Sequence, residues 1–482
     1  MGVLSQFADE LKKTDIVADT DIVADIRAGL IGEGKEFSTP YGLKKLVYAD
    51  YTASGRALKQ IEGFVLEHVL PFYANSHSEA SHCGAYITAL RAEARQIIDK
   101  ALNVGEDCTV IFSGSGATAA INRAVALSGV ADFSNHNQAE QAVVFIGPYE
   151  HHSNILPWRE SGAEIVEIDE DPNGGPDLEH LERELVARST RKLLIGSFSA
   201  ASNVSGVLTD VSAVTRLLKQ YGALAFWDYA GGGPYMPMDM NPEDGHGLDA
   251  IFLSPHKFPG GPGASGILVI RNSAIKTHKP TWPGGGSVAY VSSWGHDYLD
   301  SIAEREESGT PNIIGDIRAA LVFLVKQSIG QEYIDKREKQ LCELAFLVWS
   351  KNSKIKILAA DKCERIPIFS FLVDNGKGEF VSHDVFTKLL SDYSGIQARG
   401  GCACAGPYGH RLLGVNKAQS ETIRHALLNG EKVEKPGWIR LNFSYLMDDK
   451  TAKFIIDSVD MLATNLADFL QNDPQDDVKR YA

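Results

Sequence analysis

The sequence predicts an α/β chain with a large lobe on a mainly parallel, seven-stranded sheet and a smaller α+β lobe behind it. Three observations predict it. From residue 46 to 271, short apolar runs alternate with helical patterns, the order of βαβ units. Several runs are continuously hydrophobic, as strands buried on both faces must be. After residue 311 the alternation gives way to paired helices and scattered strands.

The elements follow in order. Residues 1–45 read as a helical arm and a loop, expected to pack on the small lobe. The large lobe is expected over 46–311. Its strand-like runs are 109–112, 142–146, 165–168, 192–197, 223–227, 250–253 and 266–270. Helical patterns lie between them, as at 178–186 and 211–221. Residues 272–310 are rich in Gly, Ser and Pro, with TWPGGGS at 281–287. The small lobe, 312–482, opens with helices over 312–329 and 331–350. A strand at 367–373, a helix at 384–391 and the loop GIQARGGCACAGPYGH at 395–410 come next. A strand at 438–443 and a helix at 450–466 follow, and the tail from 471 to 480 is expected to fray.

Composition narrows the function classes. The 482 residues, of which 44% are hydrophobic and 23% charged, are those of an ordinary globular chain. Length alone suggests about three domains. Acidic residues outnumber basic ones, 62 to 47, for a formal charge of −15. That field repels phosphate backbones and acidic membrane surfaces, so no nucleic-acid partner is expected. No apolar run is long enough for a membrane helix, and the mixed-charge N-terminus does not read as a leader. The six cysteines, Cys83, Cys108, Cys342, Cys363, Cys402 and Cys404, are too few for a disulfide framework. They read as reduced thiols of a cytoplasmic protein.

Five segments carry candidate chemistry. In SPHKFPGGPGASG (254–266), Lys257 stands just past a strand, where α/β sheets place ligands. A partly desolvated lysine there can lose its proton and attack a carbonyl carbon; the plain alternative is a surface lysine beside a turn. In FWDYAGGGPY (226–235), Asp228 ends an apolar strand. It either pairs a cationic ring nitrogen or caps the following turn. FSGSGATAAIN (112–122) is a strand, a Gly-rich turn and a helix start, suited to an anion and equally to an ordinary βα turn. GPYEHHSNILPW (147–158) offers adjacent His151 and His152, as a base, a stacking partner or a structural pair. RGGCACAGPYGH (399–410) holds Cys402 and Cys404, for which a nucleophilic thiolate, a redox pair, a zinc site with His410 and an idle thiol all remain open.

Taken together, a phosphate-type turn and a His, an Asp and a Lys at strand ends form one kit for a phosphorylated aromatic aldehyde, pyridoxal phosphate. From about residue 46 to 470 the chain resembles the class V aminotransferase family of pyridoxal-phosphate enzymes with the type I fold. It is most similar to cysteine desulfurases and selenocysteine lyases, with touches of the molybdenum-cofactor sulfurase branch. EHHSNILPW, SNVSG, DYA, SPHK, GGGS, GTPN and the R-x-x-C-x-C loop occur in family order.

The resemblance implies roles. Lys257 would form the internal aldimine, a Schiff base, and shuttle protons. Asp228 would pair with the pyridinium nitrogen, His151 would stack on the ring and assist proton transfer, and Ala230 would cover the opposite face. Asn203 would approach the phenolic oxygen. Gly116, Ala117 and Thr118 would cradle the phosphate, with Ser254 and His256 as further donors. Thr310 would reach the phosphate of a neighbouring subunit, implying a homodimer. Arg440, helped by Arg399, would hold the substrate's α-carboxylate, and Cys404 would be the sulfur-accepting nucleophile. The catalytic set is then Lys257, Cys404 and His151, with no metal.

Three features depart from the family pattern. Gly231 stands where most relatives have Gln after D-x-A, the thiol pair is Cys-x-Cys, and the sequence is read as lacking the extra C-terminal domain of long sulfurases. The expected activity is removal of sulfur from L-cysteine to give L-alanine and an enzyme persulfide, passed to a protein acceptor. The rivals are a C–S or selenocysteine lyase, an aminotransferase or an epimerase with a passive Cys404, and a non-catalytic pyridoxal-phosphate-binding protein.

Overall fold

The structure is a computed structural model that describes residues 2–471 apart from 19–20, 77–78, 134–140, 363, 432 and 434. Cys363 and the expected frayed tail beyond 471 lie outside the described residues. The large lobe is built on seven strands: β1 (Cys108–Phe112), β2 (Val143–Ile146), β3 (Glu164–Glu167), β4 (Leu194–Ser199), β5 (Leu224–Asp228), β6 (Ala250–Leu253) and β7 (Ile267–Arg271). Their order across the sheet is β1-β7-β6-β5-β4-β2-β3. The neighbours from β6 to β3 are parallel, and β7 runs antiparallel to both β1 and β6. Each side of the sheet is packed by its own apolar cluster, so β2 and β6 are buried at every position. Continuous apolar runs with no alternation are the direct result.

All seven strands lie within two residues of the sequence expectation. The largest shift is in β4, which ends at Ser199 because buried Glu150 accepts hydrogen bonds from Ser199 N at 2.7 Å and from Ser199 Oγ at 2.6 Å. Small hydroxyl side chains thus continue a strand that looks finished on hydropathy alone. A helix at His82–Ala101, not anticipated, buries Ile87, Leu90, Ala94 and Ile98, a helical stripe readable in the sequence.

The small lobe carries β8 (Ile355–Ile357), β9 (Ile368–Val373), β10 (Arg399–Gly401) and β11 (Trp438–Asn442), in the order β8-β9-β11-β10 and antiparallel throughout. Its core packs Trp349, Phe369, Phe371 and Phe443 against the helices Gln331–Trp349, His383–Ser394 and Asp449–Thr464.

Three expectations are corrected. Residues 1–45 do not pack on the small lobe as a unit. Leu4, Phe7 and Leu11 form one apolar face of the helix Val3–Ala18 and enter the large-lobe core with Ile317 and Leu321 of the helix Ile313–Ile329. The hairpin Glu36–Thr39/Gly42–Lys45 meets the small-lobe helix His383–Ser394, and Arg27 Nε donates to Leu446 O of the same lobe. The helix Ile313–Ile329 likewise buries its side chains in the large-lobe core, so a boundary at 311/312 cuts through packed structure. The stretch 395–410 is not one loop. Residues 396–397 pair in parallel with Val47–Tyr48, 399–401 form β10, and a helix runs over Gly406–Leu413, which leaves 402–405 as the turn. The Gly-rich stretch also holds a hairpin, Val288–Val291/His296–Tyr298.

Candidate active site

The carboxyl ends of the central strands open into a cleft closed on its far side by the small lobe, the usual ligand position in such sheets. The cavity there encloses about 230 Å³. Every site residue named from the sequence lines it except Gly116 and Thr310. Gly116 lies directly behind the wall, and Thr310 is exposed elsewhere on the surface.

Lys257 ends a short turn, Pro255–Lys257, just past β6. Burial pulls its pKa down to about 8, Asp228 pulls it back up, and Arg440 and Arg399 add to the lowering. Asp228 closes β5 and is buried. Burial raises its pKa, while a hydrogen bond from Ala230 N to Oδ1 at 2.8 Å and the nearby Lys257 lower it. Its other oxygen takes no hydrogen bond from the described residues.

The Gly-rich turn after β1 leads into the helix Gly116–Leu127. Gly116 has φ +67°, and a Cβ there would lie 2.8 Å from both Ser254 Oγ and His256 Cε1. Ala117 N donates to Ser254 Oγ at 2.9 Å, leaving that hydroxyl proton free to donate onward. Thr118 Oγ1 and Ser153 Oγ are 2.7 Å apart. Burial, with Lys257 next to it, pushes His256 down to about 4, so its ring is neutral.

The histidine pair divides its work. His151 Nδ1 accepts from Ser153 N at 3.1 Å, which places the neutral ring's proton on Nε2. Burial is the first cause that pushes its pKa down to about 3, and Lys257 the second. His152 turns to the small lobe: its N donates to Cys404 O at 2.8 Å and its Nε2 accepts from Gly406 N at 2.9 Å. His152 therefore pins the cysteine turn, a role the sequence does not reveal because its partners lie some 250 residues away.

Asn203 joins that clamp. Its Nδ2 donates to Ala403 O at 2.8 Å, and its Oδ1 is buried with no partner. Ala403 and Cys404 hold φ values of +49° and +56°, in the left-handed region that side chains seldom occupy. The four-residue turn is thus held in an unusual shape that puts exposed Cys404 on the cavity wall. Cys402 packs on the other side, beside Tyr149, Val204 and Trp438. His410 engages both ring nitrogens, with Gly406 O at 2.7 Å and Ser420 Oγ at 2.9 Å, so it does not join the thiols as a ligand. Among the described residues no cluster of three or more His, Cys, Asp and Glu is placed for a metal ion.

On the small-lobe wall, Arg399 and Arg440 are directly opposed across β10 and β11. Both bond to Asp50, a residue absent from the sequence expectations: Arg440 Nη2 to Oδ1 at 2.8 Å and Arg399 Nε to Oδ2 at 3.0 Å.

Comparison with known proteins places the fold and the family. Solved structures that share the fold include the apo cysteine desulfurase of Thermococcus onnurineus, with TM-score 0.72 and 23% identity over 87% of this chain and 95% of that one. The cysteine desulfurase CsdA of Escherichia coli superposes with TM-score 0.71 and 21% identity over 92% and 98%. Among curated sequences, a probable cysteine desulfurase of Halalkalibacterium halodurans is 27% identical, over 75% of this chain and 84% of its own length. Another, of Streptomyces coelicolor, is 28% identical over the same shares. The family model for class-V aminotransferases matches residues 47–435. The chain belongs to the aminotransferase class-V family and is a pyridoxal-phosphate-dependent enzyme of that family.

Proposed function

We propose that this chain removes sulfur from L-cysteine, giving L-alanine and a persulfide on Cys404. The observation that carries the reading is that Cys404, Lys257 and Arg440 line one cavity. The residues fit pyridoxal phosphate. A helix start where only glycine fits faces Ser254 and His256, as a phosphate cradle needs. The free oxygen of Asp228 suits a protonated ring nitrogen, a contact worth roughly 1.5–3 kcal/mol. Bound there, the cofactor supplies an electron sink for bonds at the substrate's α-carbon.

The protein groups do the rest. Lys257 Nζ, with its lowered proton affinity, holds the cofactor and then takes the α-proton. His151, neutral and fixed in tautomer, would stack on the bound ring, and Ala230, which lines the same cavity, would support its opposite face. Asn203 serves the phenolic oxygen while it also holds the turn at Ala403; Gly231, in place of glutamine, leaves that corner to it. Arg440 and Arg399 hold the α-carboxylate. The thiolate of Cys404 attacks the substrate sulfur. An S–S bond forms, the substrate's C–S bond breaks, and its electron pair stays with the carbon, which takes up a proton to become alanine. The sulfur then passes to a protein acceptor.

The enzyme acts as a cytoplasmic homodimer. Exposed Thr310, outside its own cavity, and the outlying Trp282 and Trp294, 74% and 94% exposed, support a second copy as cover and as co-owner of the phosphate site. No described helix is long and apolar enough to cross a membrane.

Incubation with L-cysteine, pyridoxal phosphate and a reductant is expected to give alanine and sulfide in equal amounts. Cys404→Ala is expected to keep the bound cofactor and lose alanine formation by about 100-fold or more, the scale of losing an attacking group. Undiminished alanine from that variant removes Cys404 from the reaction. Pyruvate or a transaminated keto acid as product would point to the lyase or aminotransferase chemistry instead.

A further inference from the structure

We propose that Asp50 sets the charge of the carboxylate-recognition corner, making it a one-charge subsite that selects amino acids with a single carboxylate over those carrying a second acid. This rests on reading Arg399 and Arg440 as the substrate-carboxylate clamp.

Two arginines directly opposed on adjacent strands repel each other. Arg440 is only 3% exposed, so an unpaired charge there would be costly. Asp50, 9% exposed, resolves both problems by giving one oxygen to each guanidinium. With two cations and one anion, the corner keeps a single net positive charge. Donors remain for an incoming carboxylate: Arg440 Nε is buried with no partner, and the Arg399 side chain is 48% exposed. Burial pulls the Arg440 pKa down, and Asp50 is the strongest influence pulling it back up.

Asp50 itself does not line the cavity, so it acts through the arginines and is a positioning residue. Nor is it a surface acid that a substrate would displace. Ala49 N donates to Gln397 O at 3.0 Å, Asn442 N to Ala49 O at 2.9 Å, and Thr52 N to Asn442 Oδ1 at 2.9 Å. The segment around Asp50 is therefore stitched to β11, which carries Arg440, and to Gln397, two residues before Arg399. Among the described residues, the only carboxylate lining the cavity is Asp228, which is coupled to Lys257. A second acidic group on the substrate would meet no unmatched positive charge.

The test measures binding of 3-mercaptopropionate, one carboxylate, and mercaptosuccinate, two, to the cofactor-loaded protein by calorimetry. Neither has an amine to react with the cofactor. The wild type is expected to prefer the monoacid. Asp50→Asn, nearly the same shape without the charge, is expected to shift the affinity ratio toward the diacid by about tenfold, the effect of one nearby unit charge. The double variant Arg399→Gln/Asp50→Asn restores one net charge and is expected to bring the ratio back near the wild-type value. A wild type that prefers the diacid overturns the proposal without any variant. So does an unchanged ratio in Asp50→Asn, or an equal loss of both ligands, which is what a merely structural role predicts. Normal alanine formation with an unmoved ratio defeats this inference alone. A shifted ratio without alanine from L-cysteine defeats the desulfurase reading alone.

Discussion

Lys257 shows how a single residue's chemistry is set by opposing forces. Desolvation and two arginines favour the neutral amine, and Asp228 favours the cation, leaving a pKa of about 8. Only the neutral form attacks an aldehyde, so cofactor capture by the cofactor-free protein rises with pH and is half-maximal near 8. In Asp228→Asn the anion that holds the proton is gone, and the midpoint is expected to fall below that value. Borohydride reduction followed by mass measurement at a series of pH values reads both curves; a midpoint that stays or rises in the variant contradicts the assignment. His151 titrates far below this range, at about 3, so an acid limb between pH 5 and 8 is not expected from it. Lys257, Asp228 and Cys404 were legible as candidates because each follows a strand or sits in a Gly-rich motif. Asp50 was not, and of His152 only the candidacy was legible and not the role, since what makes both matter is a partner far away in sequence: 349 and 390 residues for Asp50.

At the scale of elements, the turn between β1 and the helix Gly116–Leu127 is constrained by its neighbours in the site. The left-handed φ at Gly116 costs a residue with a side chain about 1–2 kcal/mol. The added Cβ would also press on Ser254 and His256. Gly116→Ala is therefore expected to weaken pyridoxal-phosphate binding by about tenfold or more, an amount that this strain alone supplies. Equilibrium titration of the cofactor checks it, and unaltered affinity would show that the turn yields freely. The strands were legible because burial on both faces writes a continuous apolar run. The turn at 402–405 was not, because its shape depends on hydrogen bonds from His152 and Asn203 on the other lobe. β10 was missed for a similar reason: Arg-Gly-Gly has no strand signature, and pairing with β11 creates it.

At the scale of the whole molecule, the N-terminal arm ties the two lobes together. Its first helix enters the large-lobe core, and the chain at 47–52 reaches the small lobe. Phe7, 2% exposed and edge-on to Phe64 at 5.3 Å, anchors that helix. Phe7→Ala is expected to destabilise the arm's attachment by about 3–5 kcal/mol. Thermal unfolding should show a lowered midpoint, and an unchanged one would mean that the arm docks independently of this contact. By itself the sequence determined the α/β class, the positions of the seven large-lobe strands and the order of the chemical motifs along the chain. Each of these is written in short-range hydrophobic periodicity or in a local motif. Only the tertiary structure decided which lobe the arm packs on, how the cysteine turn is held, and which carboxylate stands between the two arginines. Those depend on surfaces and charges that meet only when the lobes pack, and burial then requires each charge to find its partner.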